Sequence, residues 1–600
     1  MPEVVPVLER HHDLALGTLA EWLENAVLAE RLTDQTLRST YPNRAFAAGW
    51  RVPTDFSGKI REFDLLIDRQ FPFSQPRIGL GGPLQFLIWP HVEEDGILCL
   101  PARKSAHDTV EQAKTALSDG YELVSLNLTS PPRQHFQDEF LSYWARDVGQ
   151  NSSPTTSLLE VRGPARRIVV WHGKVWNILA ENENALQRWF QNRFGRAQKP
   201  PDTEAAALIW LPHPLCPDEF PKTTSDVWAL GRDVPDGKSV LRELAANSPR
   251  RIVVVLGAES RNGPCLAAVT VSPLPLGLGG KKRNVLQKGF RPGRVPPEIA
   301  SARFWNTGSQ VARSKVTRAD AAWVHGRDRD SKQHKLGGAK VILVGAGSVG
   351  APVASQLAMA GVGHLVIIDP EKLTAANTGR HPLGAKHIDR YKAEALAQEL
   401  CENYPHDEIG FRNDTWQDVN AKEPGLFADA SLIISATGDW NMDDAMNTWH
   451  VERGKTPPIL YGWTEEHACA GQAVLITSGE GACLACGLSP DGSPKFRVTK
   501  WPGSMLKQEP GCGSLYQPYG PVELSHTVNL ISELALDVLV IDEVESTHRI
   551  WACRLRFLEA CGGQWTEKWL ADADHRIEGG NESHREWPRD PACRVCGVHG

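Results

Sequence analysis

Along residues 9–37, apolar side chains recur at three- and four-residue steps. Leu16, Leu19, Leu23 and Val27 fall among polar and charged neighbours, which predicts an amphipathic helix. The period then shortens. Residues 45–52, 60–67 and 78–80 read as short β runs divided by Pro, Gly and Ser. Helical spacing returns at 109–116 and 140–146, so an α+β unit is predicted over residues 1–155, closed by the polar, turn-rich stretch 150–157. Residues 167–171 and 251–256 look like buried strands, with helical stretches at 183–193 and 239–246; together they predict an α/β middle region over 156–298. The Gly-, Pro- and base-rich stretch 273–297 marks its end. Beyond it, strand 341–344, helix 349–360, strand 364–368, helix 385–403 and strand 431–435 alternate. That order predicts a parallel, doubly wound, Rossmann-like sheet over 299–600.

A chain of 600 residues exceeds what one core organises, which agrees with three domains. The net charge of −7 argues against a direct nucleic-acid binder. Short basic stretches, such as Lys281 to Arg283 and Arg291 with Arg294, read as solvated loops. No run approaches the roughly 20 apolar residues of a membrane span, and the start of the chain has no signal-peptide pattern. A cytoplasmic protein is expected, with its cysteines as thiols, metal ligands or nucleophiles rather than disulfides.

The chemistry concentrates in the last part. Gly345, Gly347 and Gly350 form a glycine loop between strand and helix, a pattern that lets backbone amides approach phosphates. Asp369 ends the next strand, where an acid binds ribose hydroxyls. Those features alone fit a nicotinamide oxidoreductase equally well. Asn377, Arg380 and Lys392 follow, and Asp439 comes after the strand at 431–435. An Arg and a Lys near the strand ends supply charge for a triphosphate, and Asp439 is placed to hold Mg²⁺. Two C-x-x-C knuckles, Cys483 with Cys486 and Cys593 with Cys596, provide four thiolates for one structural Zn²⁺. His599 reads as surface. Cys512 sits in a Gly/Pro-rich stretch before a helix at about 522–538, where a thiol gains thiolate character. Cys216, Cys265, Cys401, Cys469, Cys553 and Cys561 carry no motif and read as core.

With these residues in place, the stretch from about 336 to 600 resembles the adenylating domain shared by ubiquitin-activating enzymes and the activators of thiamine and molybdopterin sulfur carriers. The resemblance implies attack of a protein C-terminal carboxylate on the α-phosphate of ATP, and a thioester cysteine at Cys512. It departs where the family has Gln after the Arg; here stands His381. The family also uses an arginine from an N-terminal helix, often across a dimer, for which Arg313, Arg318 and Arg327 are candidates. Residues 1–155 resemble ubiquitin-conjugating enzymes through Phe71 to Pro76, Trp89-Pro90-His91 and the loop Gly96 to Leu100 that carries Cys99. The usual His-Pro-Asn is replaced by Trp89-Pro90-His91, so the expected oxyanion asparagine is absent, and His91 or another donor must serve.

The order of the three parts resembles the fusion enzyme of bacterial antiphage CBASS systems. By that resemblance a homodimer activates the C-terminal glycine of a cGAS/DncV-like nucleotidyltransferase. The acyl group then passes from Cys512 to Cys99 and onto a lysine of an acceptor protein. Activation of a separate ubiquitin-like or sulfur-carrier protein is an alternative, as is a non-catalytic N-terminal binding domain.

Overall fold

The computed structural model describes residues 7–597 apart from 27, 83–84, 102–107, 149–152, 196–201, 248–250, 272–288, 292–293, 455, 478–480, 490–491, 509–514, 543 and 573–576. Cys512, His599, the basic stretch 281–283 and most of the turn-rich segment 273–297 therefore lie outside the described residues. The chain divides into two compact units. One comprises Met1–Thr156, Val161–Asn177 and Glu204–Thr317; the other comprises Ser157–Glu160, Ile178–Thr203 and Arg318–Gly600.

In the first unit the amphipathic stripe becomes helix Val7–Ala26, with Leu19 and Leu23 buried. It stops short of Leu37. Thr33 accepts the Thr36 amide at 3.1 Å and caps a separate helix, Asp34–Thr40, so the single predicted helix is two. The β runs form an antiparallel meander of Phe46–Phe56, Lys59–Asp68 and Arg77–Leu80, edged by Glu30–Arg31. Alternation places Phe63, Leu65 and Ile67 in one core with Leu19, Leu23, Ala113 and Val124 of helices Val7–Ala26 and Thr109–Thr129.

Helix Phe140–Val148 has apolar business on its other side. Phe140 and Trp144 enter a second core with Ile209, Val254, Val269 and Trp305, residues of the middle region. Trp144 also donates its indole N–H to the Ser314 carbonyl at 2.9 Å. Strands Glu204–Trp210, Ile252–Ser260, Gly263–Val271 and Val311–Arg318 line that core, each hydrogen-bonded to the next, and Arg166–His172 pairs with Glu204–Trp210.

The second unit carries an eight-stranded sheet. Glu408–Arg412, His364–Ile368, Lys340–Val344, Leu432–Ser435 and Ile459–Thr464 run parallel in that spatial order. Ala470–Ile476, Thr547–Arg554 and Gly579–Glu586 then continue it antiparallel. The parallel strands are unbroken Val, Ile and Leu because helices such as Gly350–Ala360 and Lys392–Asn403 cover the sheet. The helix expected from residue 385 begins only at Lys392. Asp389 adopts φ 69°, a left-handed conformation that interrupts it, and Ala385–His387 is an isolated 3₁₀ turn.

Strand order reverses between Lys340–Val344 and Leu432–Ser435, which opens a crevice at their C-terminal ends. Helix Pro521–Val540 buries Leu524, Val528, Ile531, Leu534, Ala535 and Val538 on one stripe. It lies close over the antiparallel part of the sheet at Gly471, where an added Cβ would sit 2.4 Å from Thr527 Oγ1 and 3.0 Å from Thr527 Cα. Among the cysteines without a motif, Cys216, Cys265, Cys469 and Cys553 are buried, while Cys401 and Cys561 are half-buried.

Because Thr527 backbone stands against it, Gly471→Ala is expected to overpack this contact and cost about 1–3 kcal/mol, read as a lower urea midpoint.

Candidate active sites

The glycine loop leaves strand Lys340–Val344 and is shaped by close backbone approaches. Gly345 has φ 92°, and a Cβ there would lie 2.7 Å from the Ala436 carbonyl oxygen. At Gly350 a Cβ would lie 1.9 Å from the Gly345 oxygen, whereas at Gly347 it would meet nothing within 4 Å. Two glycines thus make the turn, and the third borders open space. Asp369, 6% exposed, accepts the Ala346 amide at 2.7 Å on one oxygen and the Glu371 amide at 2.8 Å on the other. Burial pushes its carboxyl up, and those two amides with Lys392 oppose the shift. His381 braces the loop from the other side. Its Nδ1 accepts the Leu383 amide at 3.1 Å, so Nε2 carries the hydrogen and donates to the Ala346 carbonyl at 2.9 Å. Burial lowers its basicity, which keeps this tautomer neutral.

Of the other sequence-derived residues, Arg380 is linked to this loop, while Asn377 bonds within its own turn. Lys392 is buried at the start of its helix, with Nζ 2.5 Å from Glu371. Asn377 accepts from the Thr374 amide and hydroxyl, both at 3.0 Å, and so caps its own turn. Arg380 donates to the Gln517 carbonyl at 2.9 Å and lies over the Tyr519 ring at 4.7 Å. Tyr519 in turn meets the Ser348 hydroxyl of the glycine loop at 3.0 Å. Tyr519 is therefore seated on the loop, with Arg380 against its ring.

Asp439 is exposed and caps helix Trp440–Arg453, accepting the Asn441 amide at 2.8 Å. Beside it stands Asp443, a residue that sequence reasoning passed over because it sits inside a helix. Its carboxylate accepts Ser435 at 2.5 Å and Thr437 at 3.1 Å, and burial pushes it up to about 6. A serine and a threonine on the strand end, one turn from two aspartates, are the only signal that marks it.

Cys483, Cys486, Cys593 and Cys596 bring their sulfurs within 4.8 Å of one another. Adjacent sulfurs stand 3.9, 3.6 and 3.3 Å apart. Thiolates at about 2.3 Å from a tetrahedral zinc lie about 3.8 Å apart, so the cluster fits that ion. Asn447 supports it, accepting the Leu484 amide at 2.8 Å and donating to Cys483 Sγ at 3.6 Å. Trp587 donates to the Cys483 carbonyl at 2.9 Å.

Cys99 is half-buried between opposite charges. Its thiol faces Glu93 at 3.3 Å, and Arg146 Nη2 lies 3.9 Å from the sulfur. Burial and Glu93 push the thiol up, while Arg146 pulls it down. Glu93 is itself paired with Arg44 and, at 2.9 Å, with Arg77. His91 has φ 62°, and its carbonyl accepts the Cys99 amide at 2.8 Å. The His91 amide donates to the Tyr143 hydroxyl at 2.7 Å. The ring faces His135 at 3.0 Å and Glu139 at 3.4 Å. Glu139, Tyr143 and Arg146 follow at i, i+4 and i+7, one face of helix Phe140–Val148 with the residue before it.

The three arginine candidates differ. Arg313 is paired with Asp147 at 2.5 Å, and Arg318 is buried between Asp320 at 2.8 Å and Asp328. Arg327 lies over Trp323 at 4.8 Å and has no carboxylate partner among the described residues.

Asp443 gives a pH test. Its folded-state value of about 6 lies above its ordinary 3.8, so the folded chain holds a proton that the unfolded chain has released. The contribution of this group is full below the ordinary value and is lost as pH rises through about 6. In the nucleotide-free protein, Asp443→Asn is expected to remove that loss and to gain up to about 3 kcal/mol over the parent at pH 7.5 but not at pH 4. Urea midpoints across this range read it.

Comparison with known proteins gives two family matches: the prokaryotic E2 family B over residues 23–151 and the ThiF family over residues 323–509. The ATP-dependent ubiquitin transferase-like protein Cap2 of Pseudomonas aeruginosa is 24% identical over 475 residues, 75% of this chain and 79% of that protein. Cap2 of Escherichia coli is 27% identical over 303 residues, 48% of this chain and 46% of that protein. Among solved structures, E. coli MccB with MccA-N7isoASN aligns with a TM-score of 0.32 and 17% identity, covering 44% of this chain and 69% of that one. No helix among the described residues is long and apolar enough to cross a membrane. The chain thus joins a prokaryotic E2 family B domain to a ThiF family domain and is an adenylating and conjugating enzyme homologous to the Cap2 proteins.

Proposed function

We propose that the enzyme activates the C-terminal glycine of a cGAS/DncV-like nucleotidyltransferase with ATP, carries it as a thioester on Cys512 and then Cys99, and joins it to a lysine. The observation that carries this reading is the braced glycine loop at the strand-order reversal, in the same chain as a thiol on a conjugating-type loop. Three domains, 1–155, 156–298 and 299–600, divide the work.

In this reading the amides of Gly347 and Gly350 face the phosphates of ATP, whereas the Gly345 amide, expected from the sequence to join them, is taken by the Ile368 carbonyl at 2.9 Å and serves the turn. Asp369 keeps lone pairs for a ribose hydroxyl, since each oxygen accepts one backbone amide. Asn377, Arg380 and Lys392 meet the polyphosphate. The glycine carboxylate attacks the α-phosphorus, pyrophosphate leaves and an acyl-adenylate forms. Asp439, with an oxygen beyond the one that caps its helix, would hold Mg²⁺, which adds positive charge at the phosphates. In a homodimer Arg327, unpaired by any described carboxylate, is the arginine that reaches the partner's nucleotide.

A thiolate displaces AMP from the mixed anhydride, and an amine later displaces a thiolate from the thioester. Two displacements split one hard step. The cytoplasm, where thiols stay reduced, suits this chemistry.

With ATP and a DncV-like nucleotidyltransferase, non-reducing gels are expected to show a DTT-sensitive adduct that disappears in Cys512→Ala. Cys99→Ala is expected to keep an adduct and lose the lysine-linked product; unchanged product would reduce the N-terminal domain to a binding module. Metal analysis of the purified chain is expected to find one zinc per polypeptide, lost with about 10 kcal/mol of binding energy at stake when Cys593→Ser breaks the four-thiolate set.

A further inference from the structure

Aminolysis of a thioester passes through a tetrahedral oxyanion, which needs a donor aimed at where the charge develops. The Cys99 loop has His91 where a conjugating-type loop would present an amide side chain. Its nearest backbone donors are already spent. The Leu98 amide goes to the Ile78 carbonyl, the Cys99 amide to the His91 carbonyl, both at 2.8 Å, and the His91 amide to Tyr143 at 2.7 Å. The His91 ring is engaged by His135 and Glu139. Asn127, an asparagine near the loop, is only 2% exposed and donates backward, to the Pro90 and Leu123 carbonyls at 3.4 and 3.0 Å.

Among the described residues, one strong donor remains against the sulfur. Arg146 Nη2 lies 3.9 Å from Cys99 Sγ, is half-buried, and has no carboxylate partner among the described residues. That separation leaves room for a carbonyl oxygen two bonds beyond the sulfur to reach the about 3 Å that an oxyanion donor requires. We propose that Arg146 is the catalytic residue that stabilises the oxyanion when a lysine attacks the acyl group on Cys99. The inference rests on the reading of Cys99 as an acyl carrier.

The step balances within the site. The amine lone pair forms the C–N bond while the carbonyl π electrons move onto oxygen beside Arg146. The oxyanion then collapses, the C–S bond breaks with its electrons on sulfur, and the amine proton ends on the Cys99 thiol. A guanidinium suits the role because it stays charged and presents several N–H groups from one plane. Its backbone is held from the far side of the helix, where Phe140 and Trp144 are locked in the second core.

The test uses the full chain and a small probe, the mercaptoethanesulfonate thioester of N-acetylglycine. Thioester exchange loads thiols without ATP, peptide mass spectrometry reads the adduct on Cys99, and a free-lysine chase follows its discharge. Wild type and Arg146→Ala are both expected to load, with discharge about 100-fold slower in Arg146→Ala and partly restored in Arg146→Lys. Iodoacetamide alkylation is expected to shift its pH midpoint upward in Arg146→Ala, a response that a structural role would not produce. Wild-type discharge in Arg146→Ala, or no recovery in Arg146→Lys, overturns the assignment. Failure of wild-type Cys99 to load at all overturns the acyl-carrier reading instead. Should Arg146→Ala fold poorly, Arg146→Gln keeps the volume, and the same slow discharge is required of it.

Discussion

Asp369 holds the glycine loop by taking the Ala346 amide on one oxygen and the Glu371 amide on the other. This buried carboxylate is the constraint on which the C-terminal unit turns. Ala346 is held at N–H by Asp369 and at C=O by His381, so the peptide inside the loop is fixed at both ends. The same loop links outward, through the Ser348 hydroxyl, to Tyr519. Glycine loop, Arg380 and the residues around Gln517 and Tyr519 are thus parts of one bonded assembly. His381 fits this view of its departure from the family. A neutral imidazole donating through Nε2 gives the loop carbonyl one N–H, as a side-chain amide would.

The Cys99 site is organised on a different principle. Its thiol is pushed up by burial and by Glu93, a carboxylate anchored by Arg44 and Arg77. Opposite Glu93, Arg146 supplies the compensating charge.

Much of this was written in the sequence, and the gaps have physical reasons. The parallel strands were legible because both faces are buried and the residues read as continuous Val, Ile and Leu. Four cysteines in two C-x-x-C knuckles announced a cluster that the fold does assemble. The split of the first helix at Thr33 and the late start at Lys392 were missed, because a cap or one left-handed residue outweighs apolar periodicity. Asp443 and Arg146 were missed for another reason. Each sits inside a helix, where spacing reveals a face but not what lies against it. The bracing roles of Asp369 and His381 belong to the same class, since they depend on a backbone atom of a distant loop.

Helix Phe140–Val148 works on two fronts, with Tyr143 and Arg146 toward the thiol and Phe140 and Trp144 in the core of the middle region. The conjugating-type fold is therefore not a detachable module here. A fragment ending after this helix would bare Phe136, Phe140 and Trp144 to water and lose the indole anchor at Ser314. Its cysteine loop would still be encoded, but the wall facing it would have no foundation. The middle region thus acts as a keel for the Cys99 loop, so recombination that exchanged one without the other would leave Tyr143 and Arg146 without the packing that holds their helix.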